Sequence, residues 1–313
     1  MCCLLIVYYL DNREKWGWGM DFNRAYDAVL TKWPQKPLGV DLAGRFGNTH
    51  VNVCGHADSR PLILLSGGGA TSTVWFDNVA TLSKSRRVFA VDTMGDAGRS
   101  VPNGDPMKSV DDLIEWMDSI VDCTGAGTVD VIGHSYGAMI ALAFALHRPD
   151  RLGKLVLLDP NSSFSGMKAG YLLRALPLLL SPSRARRRRL LEWETGELSI
   201  DSDWLSLVEV GTSDLPRPDL VVPRRPSKED LSALDVELLV VLAQDGRVHD
   251  AETVSRSVRG PRSSGPSTSP NGAVSVPTPC SPPTRSQDTP TSASPRCRPR
   301  GAREHQRRPP ARR

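Results

Sequence analysis

The segment around Ser135 has the residue types and spacing that could turn a serine hydroxyl into a nucleophile. An apolar run beginning at Val129 ends in the pattern G-x-S-x-G, and an alanine-rich apolar stretch follows directly. Glycines on both sides of the serine permit a sharp turn, because larger side chains would collide across it. A strand–turn–helix arrangement of this kind presents the hydroxyl at the end of the strand, where it can attack a carbonyl carbon. We therefore predict that Ser135 is a catalytic nucleophile.

Strand and helix patterns alternate on both sides of this segment. Strand patterns cover 62–66, 87–92, 154–159 and 235–243, and helix patterns cover 20–33, 110–121 and 251–258. Two shorter β-type segments, 39–43 and 49–54, predict a hairpin. This order predicts an α/β fold with a doubly wound, mostly parallel sheet that helices cover on both faces. We expect the strand at 235–243 to be buried.

The alternation stops after Pro160 and resumes at Asp235. Helix patterns at 167–180, 183–195 and 203–210, and a proline-rich return at 216–226, lie between these two points. We interpret 161–230 as a helical lid inserted into the sheet domain, over the site. Its arginines, Arg184 and Arg186–Arg189, either contact an anionic substrate or form a solvated helix face, and the second interpretation is favoured.

The composition changes abruptly at Arg259. From there the chain holds eleven arginines, twelve prolines and nine serines, but no Leu, Ile, Met, Phe, Trp or Tyr. Such a segment cannot bury enough apolar surface to offset its ordering entropy, so we predict that 259–313 is disordered. Its arginines account for the net charge of +4, since the rest of the chain is net negative. We therefore expect no nucleic-acid partner.

Residues 1–19 are predicted to be a non-native or disordered extension. Their apolar start lacks the basic residues and the cleavage site of a signal peptide, and helical periodicity begins at Met20, an alternative start to Met1. No apolar run reaches the ~18 residues of a membrane span. The six cysteines show neither metal spacing nor a compact disulfide framework. We expect a cytoplasmic protein with no membrane partner and with no metal or other cofactor. The folded sheet domain is predicted to comprise 20–160 and 231–258.

Two further motifs accompany the G-x-S-x-G pattern. Residues 66–75 begin with Ser-Gly-Gly-Gly and resemble an H-G-G-G oxyanion loop with serine in the histidine position. Residues 92–100 resemble a D-x-x-G-x-G-x-S segment. In this order the three motifs resemble those of the α/β-hydrolase superfamily, and the resemblance extends from about Asp21 to Val258.

The resemblance implies roles for three residues. Ser135 is the nucleophile, and the backbone N–H groups of Gly68 and Tyr136 hold the oxyanion of a tetrahedral intermediate. Epoxide hydrolases and haloalkane dehalogenases of this superfamily use an aspartate nucleophile, so the serine argues against both activities.

The resemblance also implies a carboxylate after the strand at 235–243. The family position, three residues past that strand, falls on Gly246, so the adjacent Asp245 is our candidate acid. Asp250 is a rival, but it precedes a helix pattern and is equally suited to be an N-cap. Asp159, at the end of an earlier strand, is a third candidate.

The histidine of a triad should follow the acid and one more strand in this superfamily. Four histidines come too early in the chain: His50, His56, His134 and His147. His249 shares the loop of the candidate acid, and His305 lies among arginines and prolines with no strand before it. The sequence therefore predicts no catalytic histidine.

A reading-frame shift in a GC-rich gene would explain both the missing histidine and the change of composition at Arg259. A wrong frame moves G and C from third codon positions into positions that encode Pro, Arg, Ala, Gly and Ser. Read one frame over, codons 286–289 give a small residue or proline, then glycine, then histidine. This tripeptide resembles the Gly-His that ends the last strand of the superfamily.

The predicted function is a cofactor-independent serine hydrolase that cleaves a small organic ester or amide through an acyl-serine. One alternative is a pseudo-hydrolase that binds a ligand but lacks the triad histidine. Another is a cofactor-free haloperoxidase-like enzyme, which uses the same residues. A scaffold or nucleic-acid role for 259–313 is disfavoured, because no aromatic residue stands between its arginines.

Overall fold

The computed structural model describes residues 20–56, 58–160, 162–196 and 198–259. The strands of this part are β1 (Leu38–Gly44), β2 (Gly47–Cys54), β3 (Leu62–Leu65), β4 (Val88–Val91), β5 (Val101–Pro102), β6 (Val129–His134), β7 (Leu152–Leu158) and β8 (Glu237–Val241). The helices are α1 (Met20–Leu30), α2 (Phe76–Leu82), α3 (Val110–Cys123), α4 (Tyr136–His147), α5 (Ala169–Leu180), α6 (Arg184–Thr195), α7 (Ser202–Asp214), α8 (Lys228–Ser232) and α9 (Ala251–Arg259). Short 3-10 turns cover Ser72–Trp75 and Pro149–Arg151.

The described strands form one mixed sheet in the order β1-β2-β4-β3-β6-β7-β8, with the two-residue β5 beside β2. Strands β1 and β2 form the predicted hairpin, and β2 pairs antiparallel with β4. The four pairs from β4 to β8 are parallel. The prediction of a mostly parallel α/β sheet is confirmed. Parallel pairing matters for the site because it brings the carboxyl ends of β3, β4, β6 and β7 to one edge.

Helices cover both faces of the sheet, as its strand sequences require. All four residues of β3 are buried. Ile63 and Leu65 join the apolar cluster that includes residues of α3 and α4, whereas Leu62 and Leu64 join a second cluster that includes Val79 of α2. Alternate side chains of a strand point to opposite faces, so a strand that is apolar throughout needs a cover on each side.

The prediction of a buried strand at 235–243 is wrong for one of its faces. Strand β8 pairs with β7, and within the described residues it has no neighbour on its other edge. Leu239 and Val241 are 40% and 43% exposed. An apolar run is typical of a strand covered on both faces, and the sequence could not show that only one face of this strand is covered.

Helices α5, α6 and α7 are inserted between β7 and β8, as the lid interpretation of 161–230 expects. Helix α7 packs on α1, where Leu207 and Val210 meet Phe22, Tyr26 and Val29 in a buried cluster. Of the predicted segments 1–19 and 259–313, only Arg259 lies within the described residues, where it ends α9. His305 lies outside them.

Candidate active site

Ser135 occupies a strained turn between β6 and α4. Its φ and ψ are 50° and −110°. Residues other than glycine rarely adopt this backbone conformation, which costs on the order of 1–3 kcal/mol. The Ser135 N–H donates to the Leu158 carbonyl at 3.0 Å, and its carbonyl accepts the N–H groups of Ala138 and Met139. The predicted strand–turn–helix is therefore confirmed, and the surrounding hydrogen bonds stabilise the strained serine.

The two glycines of G-x-S-x-G are required by close backbone packing. A Cβ on Gly133 would lie 2.4 Å from the Gly137 carbonyl oxygen, and a Cβ on Gly137 would lie 2.4 Å from the Leu65 carbonyl oxygen. Neither backbone oxygen can move away cheaply, so no larger residue fits at these positions. This is the steric reason that the sequence pattern predicts.

The glycine-rich loop after β3 lies against this turn. The Ala70 N–H donates to the Gly67 carbonyl at 3.1 Å, which closes a tight turn over Gly68 and Gly69. A Cβ on Gly67 would lie 3.3 Å from the Ser135 Cβ. The loop therefore lies beside the predicted nucleophile.

The two predicted oxyanion donors are neighbours in the structure. A Cβ on Gly68 would lie 3.8 Å from the Tyr136 Cβ. Among the described residues, neither the Gly68 N–H nor the Tyr136 N–H has a hydrogen-bond acceptor. Two free backbone donors beside a strained serine are what stabilisation of an oxyanion requires.

The three candidate acids have different surroundings. Asp245 is exposed, and its side chain makes no hydrogen bond or ion pair with any described residue. Asp250 accepts the Thr253 N–H at 2.7 Å and so caps α9, and its hydrogen bonds to Thr253 lower its pKa. Asp159 directly follows Leu158, whose carbonyl accepts the Ser135 N–H. It is therefore the candidate next to the nucleophile.

Asp159 contacts a buried histidine. Its Oδ1 lies 3.5 Å from the His249 Nε2 and accepts the Ala243 N–H at 2.7 Å. Burial raises the pKa of Asp159, but the His249 ring and the Ala243 N–H outweigh burial and hold it below its usual value. Sequence reasoning placed His249 in the loop of Asp245 and did not bring it to Asp159.

Within the described residues, no histidine hydrogen-bonds the Ser135 hydroxyl. His50 contacts Asp41 in the β1–β2 hairpin at 2.7 Å, and His147 contacts the Ala143 carbonyl within α4. His134 packs against Gly67 of the oxyanion loop. Each of these three histidines therefore contacts a part of the fold other than the Ser135 hydroxyl.

The lid arginines divide into two groups. Arg184 pairs with Asp214, and Arg188 pairs with Glu209, so both join α6 to α7 on the surface. Arg187 instead extends to the oxyanion loop, where a Cβ on Gly69 would lie 2.6 Å from its Nη2. The solvated-face interpretation holds for Arg184 and Arg188 but not for Arg187.

A cavity in the described part of the chain lies away from this site. It has a volume of about 520 Å³ and is lined by apolar residues of α4 and by the return segment 222–226. Its lining includes none of Ser135, Gly68 and Tyr136. The described residues also hold no cluster of three or more metal-ligating side chains, and no helix among them is long and apolar enough to cross a bilayer.

A family model described as alpha/beta hydrolase fold matches residues 60–187, from just before β3 into α6. Among solved structures, carboxylesterase CesB (YbfK) and naproxen esterase from Bacillus subtilis have TM-scores of 0.70 and 0.71 with this chain. Each structure is 26% identical in sequence to this chain, and the match covers 77% of this chain and 85% of the matched structure's chain. The chain therefore has the α/β-hydrolase fold.

Curated relatives of this chain agree with the structural likeness. Carboxylesterase YbfK of Bacillus subtilis is 36% identical over 146 residues, which is 47% of this chain and 49% of the relative. The 2-hydroxy-6-oxo-2,4-heptadienoate hydrolase of Pseudomonas putida is 27% identical over 232 residues, which is 67% of this chain and 80% of the relative. The chain spans about half the length of the two Bacillus subtilis carboxylesterases it matches.

Proposed function

We propose that this protein is a serine carboxylesterase that cleaves a small organic ester through an acyl-serine intermediate. One observation carries the proposal: Ser135 occupies the strained turn beside two backbone N–H groups, those of Gly68 and Tyr136, that have no acceptor among the described residues. In the proposed reaction the serine oxygen attacks the ester carbonyl, and the two N–H groups bind the oxyanion. Each donor of this kind contributes about 3–4 kcal/mol to the barrier reduction.

The acyl-serine forms when the tetrahedral intermediate collapses and the alcohol leaves, and water then releases the acid. Each step moves a proton, so the serine needs a base that an acid orients. Asp245 is the carboxylate adjacent to the family position, which falls on Gly246. The described contacts favour Asp159 instead, because it follows the acceptor of the Ser135 N–H and lies 3.5 Å from the His249 Nε2.

The substrate class rests on the comparisons. Two relatives are named carboxylesterases, and two structural neighbours are named carboxylesterase and naproxen esterase. These names favour ester cleavage over the haloperoxidase-like alternative. We propose a cytoplasmic enzyme that needs no cofactor and acts on small esters, with amides as a further substrate class.

One observation favours a second candidate, a pseudo-hydrolase that binds esters without turning them over. No histidine hydrogen-bonds the Ser135 hydroxyl within the described residues. Loss of the base removes most of the rate of a serine hydrolase, although oxyanion stabilisation and substrate binding survive.

Hydrolysis of p-nitrophenyl esters of increasing acyl length tests the esterase proposal. The full-length protein should release nitrophenol in repeated turnovers, and Ser135→Ala should reduce kcat by at least about a thousandfold. Ser59→Ala, at an exposed serine, is the matched control and should behave as the wild type. A single burst without further turnover would identify the pseudo-hydrolase, and a rate unchanged in Ser135→Ala would contradict both candidates.

A further inference from the structure

The carboxylate of Asp96 joins the oxyanion loop to the loop that follows β4. The Gly69 N–H donates to both carboxylate oxygens, at 3.1 Å from Oδ1 and 2.9 Å from Oδ2. The Ala97 N–H donates to Oδ1 at 2.8 Å, and the Asp96 N–H closes a turn onto the Thr93 carbonyl. Asp96 lies within the Asp- and Gly-containing motif at 92–100, but sequence reasoning gave it no role.

The bond to Gly69 fixes the least constrained part of the oxyanion loop. Gly67 and Ala70 close a four-residue turn, in which Gly68 and Gly69 are the central residues. Gly69 has a φ of 73°. This angle fixes which of two orientations the peptide bond between Gly68 and Gly69 adopts in the turn. Glycines allow that peptide to flip at little cost. A hydrogen bond to the Gly69 N–H holds this orientation and therefore the backbone on the carboxyl side of Gly68.

We propose that Asp96 is a positioning residue of the esterase reaction, which holds the Gly68 N–H aimed at the oxyanion through its hydrogen bonds to Gly69. The inference rests on the proposed function for the role of the Gly68 N–H. Asp96 touches neither the substrate nor the reacting atoms.

Several charged and titratable groups face the Asp96 carboxyl. The Arg187 guanidinium approaches from α6 and packs over Gly69, and Asp92 lies at the end of β4. Burial raises the pKa of Asp96 to about 6, whereas the two backbone hydrogen bonds and Arg187 act in the opposite direction and Asp92 adds to the rise. The Asp96 charge also raises the pKa of Tyr136, a second effect after burial. The Asp96 carboxyl, which bonds the oxyanion loop, therefore changes charge near pH 6.

Asparagine at position 96 separates the hydrogen bonds from the charge. With the amide oxygen at the Oδ1 position, the Gly69 and Ala97 N–H groups each keep an acceptor and the titration is removed. The amide NH2 then replaces Oδ2, the closer acceptor of the Gly69 N–H at 2.9 Å, so the bond to Gly69 is weakened but not lost. Alanine removes the bonds and the charge together. Asp111, exposed in the first turn of α3, provides a control variant, Asp111→Asn.

Acylation of the full-length protein by p-nitrophenyl acetate is the first measurement. Asp96→Ala should lower the acylation rate by at least about tenfold with KM changed less than about threefold, as expected for loss of a bond made to the transition state. Asp96→Asn should lose less of the rate than Asp96→Ala, because one acceptor oxygen remains, and should lose a pH dependence centred near 6. An equal loss in both variants, or a loss confined to KM, overturns the proposal.

The Gly69 amide resonance of ¹⁵N-glycine-labelled protein is a readout that needs no activity. It should shift with pH around 6 in the wild type and in Asp111→Asn, but not in Asp96→Asn. A Gly69 resonance with the same chemical shift in the wild type and in Asp96→Asn at every pH overturns the positioning role, even if Asp96→Ala fails to fold. If the wild type shows no acylation but this resonance titrates, the esterase proposal fails and the anchoring of the loop stands.

Discussion

A Cβ on Gly137 would lie 2.4 Å from the carbonyl oxygen of Leu65. The first turn of α4 therefore meets the end of β3 backbone to backbone, and this contact sets the distance between the nucleophile turn and the oxyanion loop. The Gly137 N–H also donates to the Ser66 carbonyl at 3.1 Å.

Gly137→Ala should destabilise the protein by about 1–3 kcal/mol, because the added methyl group forces the two backbones apart. It should also reduce esterase activity, since Ser135 and Gly68 would separate. Gly170→Ala, in α5 where no atom lies within 4 Å of an added Cβ, should leave the free energy of unfolding unchanged or slightly higher. Urea unfolding of both variants checks this. Equal stabilities would show that the contact at Gly137 does not constrain the fold.

Most of the fold could be predicted from the sequence, because its signals are local. Strands β3, β4, β6 and β7 are short apolar runs, and helices α1 and α3 have an apolar helical periodicity. The exposed face of β8 could not be predicted, because an apolar run does not report whether both faces of a strand are covered. Ser135 could be predicted because the glycines that its turn requires are adjacent in sequence.

The contacts that surround the serine were less predictable. Asp159 and His249 are far apart in sequence, and they meet only because β7 and β8 are neighbours in the sheet. Asp96 differs from surface aspartates in its burial and in its hydrogen bonds to a loop that follows another strand. Arg187 belongs to a run of arginines, and composition cannot show which of them extends inward.

The candidate acids can be separated by one pair of variants. Asp159→Ala should lower kcat/KM by at least about tenfold and the free energy of unfolding by about 1–3 kcal/mol, since the buried His249 ring and the Ala243 N–H lose their partner. Asp245→Ala removes an exposed side chain without a partner and should keep the stability within about 0.5 kcal/mol. Steady-state kinetics and urea unfolding of both variants provide the comparison. If only Asp245→Ala loses activity, Asp245 is the acid and the Asp159 assignment is wrong.

The free energy of unfolding should depend on pH through the titration of Asp96. Burial raises its pKa to about 6, so the folded state binds the proton more tightly than the unfolded state does. The resulting stabilisation is fully present below pH 4 and is lost as the pH rises through 6. The side chain at position 96 of the variant Asp96→Asn does not titrate. The free energy of unfolding of this variant should therefore rise relative to that of the wild type between pH 4 and pH 7. A constant difference across this range, measured in urea, would contradict the shifted pKa.

The change of composition at Arg259 predicts a reading-frame shift in the gene. Sequencing the DNA across codons 250–265 checks it directly. The prediction is a shifted frame that, once restored, encodes a strand ending in Gly-His. An intact frame with stop codons in the other two would show the hypothesis to be wrong.

The nucleophilic role of Ser135 is the central claim, and labelling with a fluorophosphonate tests it most directly. Intact-mass spectrometry of the folded, full-length protein should show one adduct per chain, and peptide mapping should place that adduct on Ser135. The same treatment of Ser135→Ala should give no adduct. A folded wild type that stays unlabelled, or an adduct that persists in Ser135→Ala, would contradict the account.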